Sequence, residues 1–176
     1  WGSTRTPRCA RRWLPVGCDP VLHGPVGGTP EWDIAFVGRD GGVPRKFYLQ
    51  ALRERYPNSF IGRAEYTQLG PMYSRSRIGF NYAIADDVNM RSFEILASGT
   101  LLVTNALESD DFEQLGLKDR QHLVFYRHPR ELFPLVDYYL SHPDERCAIA
   151  GAGAAITRTN HSYVRRLEAL LASVVS

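Results

Sequence analysis

The residues with the clearest chemistry lie in one stretch, Asp86-Asp87-Val88-Asn89-Met90-Arg91-Ser92-Phe93-Glu94, continued by Ile95-Leu96-Ala97-Ser98-Gly99 and Thr100 to Thr104. The pattern predicts a polar loop, a short helix started by Asp87 or Asn89, a stop at Gly99 and a buried strand over 100–104. Phe93, Leu96 and Ala97 recur three and four apart and face a core, while Arg91 and Glu94 share another face near the helix start. A cation and a carboxylate are thus presented together at the positively polarised end of a helix. That pair suits a sugar nucleotide: backbone N–H groups and Arg91 meet phosphate oxygens, and Glu94 accepts hydrogen bonds from ribose hydroxyls. An ordinary solvated helix face carries the same spacing, and by spacing alone that is the commoner origin.

Positioning these groups requires a scaffold, and the rest of the chain supplies its pattern. Trp32 to Val37 is apolar and β-prone apart from Asp33, as expected of a strand buried in a parallel sheet. Gly38-Arg39-Asp40-Gly41-Gly42 forms a loop, and Pro44 suits the first turn of a helix whose apolar residues are Phe47, Leu49, Leu52 and Tyr56. Pro57 ends that helix. Short strands follow at Ser59 to Ile61 and Arg77 to Tyr82, with a short helix over 69–76 between them. After the opening motif come a polar helix at Asp110 to Leu115, a strand at His122 to Tyr126, and helices over 131–140, 144–157 and 161–174. This alternation predicts an α/β fold with a doubly wound, mostly parallel, Rossmann-like sheet and helices at the carboxy-terminal end.

In such a sheet, ligands bind beyond the carboxyl ends of the strands. Three places qualify: Gly38 to Gly42 with Arg39, Arg45 and Lys46 nearby; Asn81-Tyr82 leading into Asp86-Asp87; and the helix with Arg91 and Glu94. The glycine loop suits close approach of a diphosphate, and equally suits a tight turn with surface cations. Gly151-Ala152-Gly153 lies inside a helical stretch and reads as helix packing. His122, His128 and His142 are scattered near element ends, and His161-Ser162-Tyr163 with Arg165 reads as capping and packing of the last helix. The chain has no serine-nucleophile elbow, zinc motif or phosphate-binding loop with lysine.

Composition bounds the remaining possibilities. At 176 residues, 44% apolar and 23% charged, the chain is long enough for one domain with a sizeable core. No apolar run approaches the roughly 20 residues of a membrane helix, and no secretory signal opens the chain, so a cytoplasmic location is expected. Cys9, Cys18 and Cys147 lack metal-ligand spacing and read as reduced thiols. The net charge of +2 is uneven: Arg5, Arg8, Arg11 and Arg12 face only Asp19 in the first 20 residues. The remainder is slightly acidic, which gives no support for nucleic-acid binding by the folded body. The basic start, the Pro/Gly run from Gly24 to Pro30 and the absence of an initiator Met suggest a piece of a longer polypeptide. The expected organisation is an irregular leader or interlobe segment over 1–30 and a nucleotide-sugar-binding domain over 31–176.

Several of these motifs together resemble the spore-maturation-protein-like glycosyltransferases, which have two Rossmann-like lobes. They are Asp87 to Glu94 with Ala97-Ser98-Gly99, Leu14 to Asp19, Asp33 to Gly38, Tyr73-Ser74-Arg75-Ser76, Tyr138-Tyr139-Leu140 with His142-Pro143, and His161-Ser162-Tyr163 with Arg165. They span nearly the whole chain in family order and cover the carboxy-terminal, donor-binding lobe of a GT-B-type enzyme. In the wider retaining group, two glutamates eight residues apart lie near the donor, the second commonly holding its ribose. Glu94 matches that second position, and Asp86 stands eight residues before it as a shorter carboxylate.

The resemblance implies a nucleotide-diphosphate sugar donor, no cofactor and no obligatory metal. It also implies transfer of a hexose-type sugar in a cleft completed by an amino-terminal acceptor lobe or partner chain absent from this sequence. Arg91 and Glu94 are then the catalytic candidates. The donor-binding set is Gly38, Arg39, Arg45, Asn81, Asp86, Asn89, Arg91 and Glu94. Arg39, Arg45 and Arg91 would stabilise the leaving diphosphate, Glu94 would orient the ribose, and Asn81 and Asn89 would meet the sugar or phosphate edge. The alternative is a non-catalytic nucleotide-binding or protein-interaction module that kept the fold.

Overall fold

The computed structural model describes residues 13–175, the side chains of residues 174 and 175 excepted. Cys9 and the arginines of the basic start therefore lie outside the described residues. Five parallel strands form one sheet in the order β2-β1-β3-β4-β5: β1 (Trp32–Val37), β2 (Ser59–Gly62), β3 (Ser76–Phe80), β4 (Leu101–Asn105) and β5 (Val124–Tyr126). The register runs through Ile34 beside Ser59 on one side and Ile78 on the other, then Ile78 beside Leu101 and Val103 beside Val124. The sheet is buried on both faces, which is why β1 and β4 read as almost continuous apolar runs.

Helices α1 (Arg45–Arg55) and α5 (Pro129–Ser141) cover one face. Leu49 and Leu52 of α1 and Leu132, Val136 and Tyr139 of α5 pack there on Ile34, Phe36, Ile78, Phe80 and Val103. The other face is covered by α2 (Leu69–Ser74) and α3 (Met90–Ala97), with Tyr73, Phe93, Ile95 and Leu96 against Ala35, Val37 and Leu102. Helix α6 (Pro143–Asn160) packs against α3, α5 and β4; α4 (Asp111–Gln114) and α7 (Tyr163–Val175) complete the order. The helices expected over 131–140, 144–157 and 161–174 begin or end a few residues outside those limits. Pro129 and Pro143 open α5 and α6, the position proline favours because its missing N–H would be unpaired there anyway.

The boundary expected at residue 31 leaves out part of the folded body. The backbone before β1 is irregular, as its Pro/Gly content implies, yet Cys18 and His23 are completely buried. The Cys18 N–H donates to the His161 carbonyl at 3.0 Å, and the Cys18 carbonyl accepts from the Tyr163 N–H at 2.9 Å. The Asp19 carboxylate accepts the Val21 and Leu22 amides, and the Asp19 N–H donates to His23 Nδ1. Side-chain caps of this kind stabilise a turn without periodic apolar spacing. The segment therefore packs against the start of α7.

Among the described residues, no helix is long and apolar enough to cross a membrane, and no group of three or more His, Cys, Asp or Glu is placed to hold a metal ion.

Candidate functional site

The strand order reverses direction between β1 and β3: β2 lies on one side of β1, and β3, β4 and β5 follow on the other. A crevice opens at such a switch point, beyond the carboxyl ends of the two strands. A cavity of about 560 Å³ occupies that position here, lined by Arg45 of α1, by Ile84, Ala85, Asp87, Val88 and Asn89 of the loop after β3, and by Met90, Arg91 and Glu94 of α3.

Arg91 is fixed by three interactions. Its Nε donates to the Val37 carbonyl at 3.0 Å, its Nη1 donates to Asn81 Oδ1 at 3.1 Å, and its guanidinium carbon lies 4.4 Å from the centroid of the Phe36 ring. Gly38 makes room for it. With φ at +145°, Gly38 takes a conformation L side chains rarely adopt, and a Cβ there would collide with Arg91 Nη2.

Arg45 works differently. Its guanidinium donates to the carbonyls of Asp40 at 2.9 Å, Arg39 at 3.1 Å and Tyr82 at 3.3 Å, tying the glycine loop to the end of β3. Burial and the like charge of Arg91 both lower its pKa, with Asp40 opposing. Two guanidinium groups thus stand near one aromatic ring with no carboxylate salt-bridged to either among the described residues, an arrangement that favours binding an anion.

Glu94 contradicts the solvated-face reading of α3. It is only 7% exposed, and its carboxylate has no hydrogen-bond or ion-pair partner among the described residues. Burial raises its pKa above the ordinary glutamate value, and Arg91 pulls it down only in part. A largely buried carboxylate that opens onto a cavity is poised to accept hydrogen bonds from a ligand there. The Oδ1 of Asn89 is likewise buried without a partner at the head of the same helix. Asn89 is the residue that starts α3, although its side chain bonds no amide there.

Of the residues the sequence singled out, Arg45, Asn89, Arg91 and Glu94 line the cavity, and Gly38 stands directly behind Arg91. Three are placed otherwise. Asn81 is fully buried, and its side chain is spent on Arg91, Ser92 and Thr104. Asp86 is exposed at φ +51° and accepts the Glu108 N–H at 3.0 Å, so Asp87 lines the cavity in its place. Arg39 is exposed and contributes its carbonyl to Arg45. Phe36, Ser92 and Thr104 were given no role in the sequence: Phe36 and Thr104 sit in apolar strand runs, and Ser92, though inside the polar motif, stands between Arg91 and Glu94, which drew the chemical reading.

The fold has clear likenesses among solved structures. The C-terminal domain of a glycosyl transferase group 1 family protein, LpcC, from Francisella tularensis matches with a TM-score of 0.64 at 12% identity, over 84% of this chain and 100% of that one. Sucrose-phosphate synthase from Thermosynechococcus elongatus matches with a TM-score of 0.67 at 14% identity, over 92% of this chain and 51% of its own. HepE from Anabaena, in complex with UDP-glucose, matches with a TM-score of 0.62 at 12% identity, over 89% and 43%. The chain thus spans about half the length of the last two. No curated protein sequence matches it significantly. The likenesses establish a Rossmann-like lobe of the kind found at the carboxy-terminal end of GT-B glycosyltransferases. The profile of the glycosyl transferase-like family covers residues 19–172, from the buried turn at Asp19 into α7, and the chain belongs to that family.

Proposed function

We propose that this chain is the donor-binding lobe of a glycosyltransferase and that a nucleoside-diphosphate sugar occupies the crevice between the ends of β1 and β3. The observation that carries this reading is the charge arrangement there. Arg91 and Arg45 stand within reach of Phe36, with no carboxylate salt bridge among the described residues, on the walls of a cavity that the largely buried Glu94 also lines. The guanidinium groups suit a diphosphate and stabilise it as it leaves, when charge develops on its bridging oxygen. Glu94 is a hydrogen-bond acceptor awaiting hydroxyl donors, as a ribose provides. Two cations supply the countercharge a metal would otherwise bring, so the reading needs no cofactor and no obligatory metal.

On this reading the transferred group is a hexose-type sugar, drawn from the cytoplasmic nucleotide-sugar pool. The acceptor sits on an amino-terminal lobe or partner chain across the cleft. UDP-glucose bound to the structurally similar HepE supports the donor class. The motif from Asp87 to Gly99 supports the spore-maturation-protein-like branch.

The test is calorimetric titration with UDP, GDP, ADP and their glucose conjugates, with and without EDTA. At least one nucleotide should bind, EDTA should change nothing, and Arg91→Gln should weaken that binding about 10-fold or more, the scale of a lost charge-assisted bond. A folded wild-type chain that binds none of them overturns the proposal.

A further inference from the structure

Asn81 stands at the end of β3 with its side chain fully enclosed, and its three polar contacts leave its amide a single orientation. Nδ2 donates to Ser92 Oγ of α3 at 3.3 Å and to Thr104 Oγ1 of β4 at 3.2 Å. Both N–H groups therefore have hydroxyl acceptors, and Oδ1 alone is left to receive Arg91 Nη1 at 3.1 Å. A flipped amide would set N–H against a guanidinium that is itself all donor. The other edge of Arg91 is held by the Val37 carbonyl, and Val37 is in turn held by Tyr73, whose hydroxyl receives the Val37 N–H at 3.1 Å. The ends of β1, β3 and β4 thus converge on one cation.

The network continues along β4. Asn105 Oδ1 receives the Ala83 N–H at 2.7 Å, and Asn105 Nδ2 donates to the Ala83 carbonyl at 3.3 Å. This double clamp fixes the backbone just before Ile84 and Ala85, which line the cavity.

From this convergence we infer that Asn81 is a positioning residue rather than a ligand contact: backed by Ser92 and Thr104, it orients the Arg91 guanidinium that receives the diphosphate. This rests on the donor-binding reading above. An arginine free to rotate spends side-chain entropy each time it meets an anion, whereas a fixed one does not. The network therefore acts on affinity for the diphosphate and leaves contacts to the nucleoside alone.

The experiment compares wild type, Asn81→Ala, Thr104→Val and Thr104→Ser. Thr104→Val keeps the shape and removes the hydroxyl acceptor, so it serves should Asn81→Ala fail to fold; Thr104→Ser restores the acceptor. Two readouts are taken: affinity for UDP against uridine, and hindered rotation of the Arg91 guanidinium by 15N NMR without ligand. In both Asn81→Ala and Thr104→Val, UDP should bind about 10-fold more weakly, about 1.4 kcal/mol, with uridine unchanged. The Arg91 guanidinium should rotate freely in both and stay hindered in Thr104→Ser. Unchanged UDP affinity, equal losses for UDP and uridine, or an Arg91 still hindered in folded Asn81→Ala or Thr104→Val overturns the inference. Wild-type protein that binds no nucleotide refutes the donor reading instead, and the NMR comparison then still decides whether Asn81 orients Arg91.

Discussion

The guanidinium carbon of Arg91 lies 4.4 Å from the centroid of the Phe36 ring, although Arg91 springs from a helix on the opposite face of the sheet from Phe36's packing partners. The arginine reaches across the strand ends to use the ring as a floor. A cation over an aromatic face gains about 0.5–2 kcal/mol, more where water is excluded. Phe36→Leu keeps an apolar side chain on the sheet and removes the π face. The expected result is UDP affinity down roughly 3- to 10-fold, with stability reduced by about 1 kcal/mol, as for a near-conservative core change. Calorimetry with urea unfolding separates the two effects, and undiminished affinity would show that the ring only packs.

Glu94→Gln should move binding and stability in opposite directions. Burial raises the Glu94 pKa, so the folded state holds its proton more tightly than the unfolded chain. Stability from this group is then full below the unfolded pKa and declines as pH rises through the folded value, leaving a charged carboxylate that destabilises the free protein at neutral pH. Gln removes that charge, so Tm without ligand should rise at pH 7. Nucleotide affinity should fall by roughly 1–3 kcal/mol through loss of charge-assisted bonds. A variant that loses stability and keeps its affinity would take Glu94 out of the site.

These two residues show how far the sequence can be read. β1 and β4 were legible because strands buried on both faces have unbroken apolar runs, and α3 because Asn89 and Gly99 bracket its apolar spacing. The spacing of Arg91 and Glu94 gave their helix and their turn, yet it could not show that the turn faces a crevice. That depends on strand order, a tertiary property. Asp86 misled for a local reason: a positive φ turns it toward the Glu108 amide. The buried turn from Cys18 to His23 was hidden because its order comes from Asp19 capping and from pairing with residues 161–163, partners with no signal in its own spacing.

His161 makes the packing of that turn sensitive to acid. Its Nδ1 receives a hydrogen bond from Arg166 at 2.8 Å, and its Nε2 lies 2.9 Å from the Leu115 carbonyl, so the ring fits its surroundings only when neutral. Burial and the nearby Arg166 lower its pKa from 6.5 to about 4. Being depressed on folding, the group contributes stability that is full above the unfolded value and lost as pH falls from 6.5 toward 4. His23, also buried and lowered, acts in the same direction. Thermal melts should show Tm falling between pH 7 and pH 4.5, with amide exchange rising first at residues 17–24. In His161→Gln the drop should shrink; an unaltered pH profile would remove His161 as its source.

Gly38→Ala tests whether the space behind Arg91 is needed. A methyl group there meets both an unfavourable φ and the Arg91 guanidinium, and strain of this kind costs about 1–3 kcal/mol. UDP affinity should fall along with stability. In an Arg91→Ala background the affinity loss should vanish, since the displaced group is already gone, and the cycle isolates that coupling. Equal losses in both backgrounds would assign the effect to loop distortion instead.

The last expectation concerns turnover. The described residues build one sheet with a crevice at its switch point, and the chain spans 51% of sucrose-phosphate synthase and 43% of HepE, whose folds it shares in part. Sugar transfer needs donor and acceptor held at near-attack distance, and losing that alignment forfeits roughly 7 to 11 kcal/mol of barrier reduction. On the donor-lobe reading, the acceptor hydroxyl is positioned by an amino-terminal lobe or partner chain rather than by the crevice around Arg91 and Glu94. The isolated chain should therefore bind a nucleotide sugar and release nucleoside diphosphate only slowly, with water as the acceptor. Adding a candidate acceptor alone should not raise the rate, whereas adding an amino-terminal lobe, in cis or as a partner, should do so by orders of magnitude. The measurement follows nucleoside diphosphate release and glycosylated product together. Rapid, acceptor-dependent product formation by the chain alone would mean that it holds both substrates by itself.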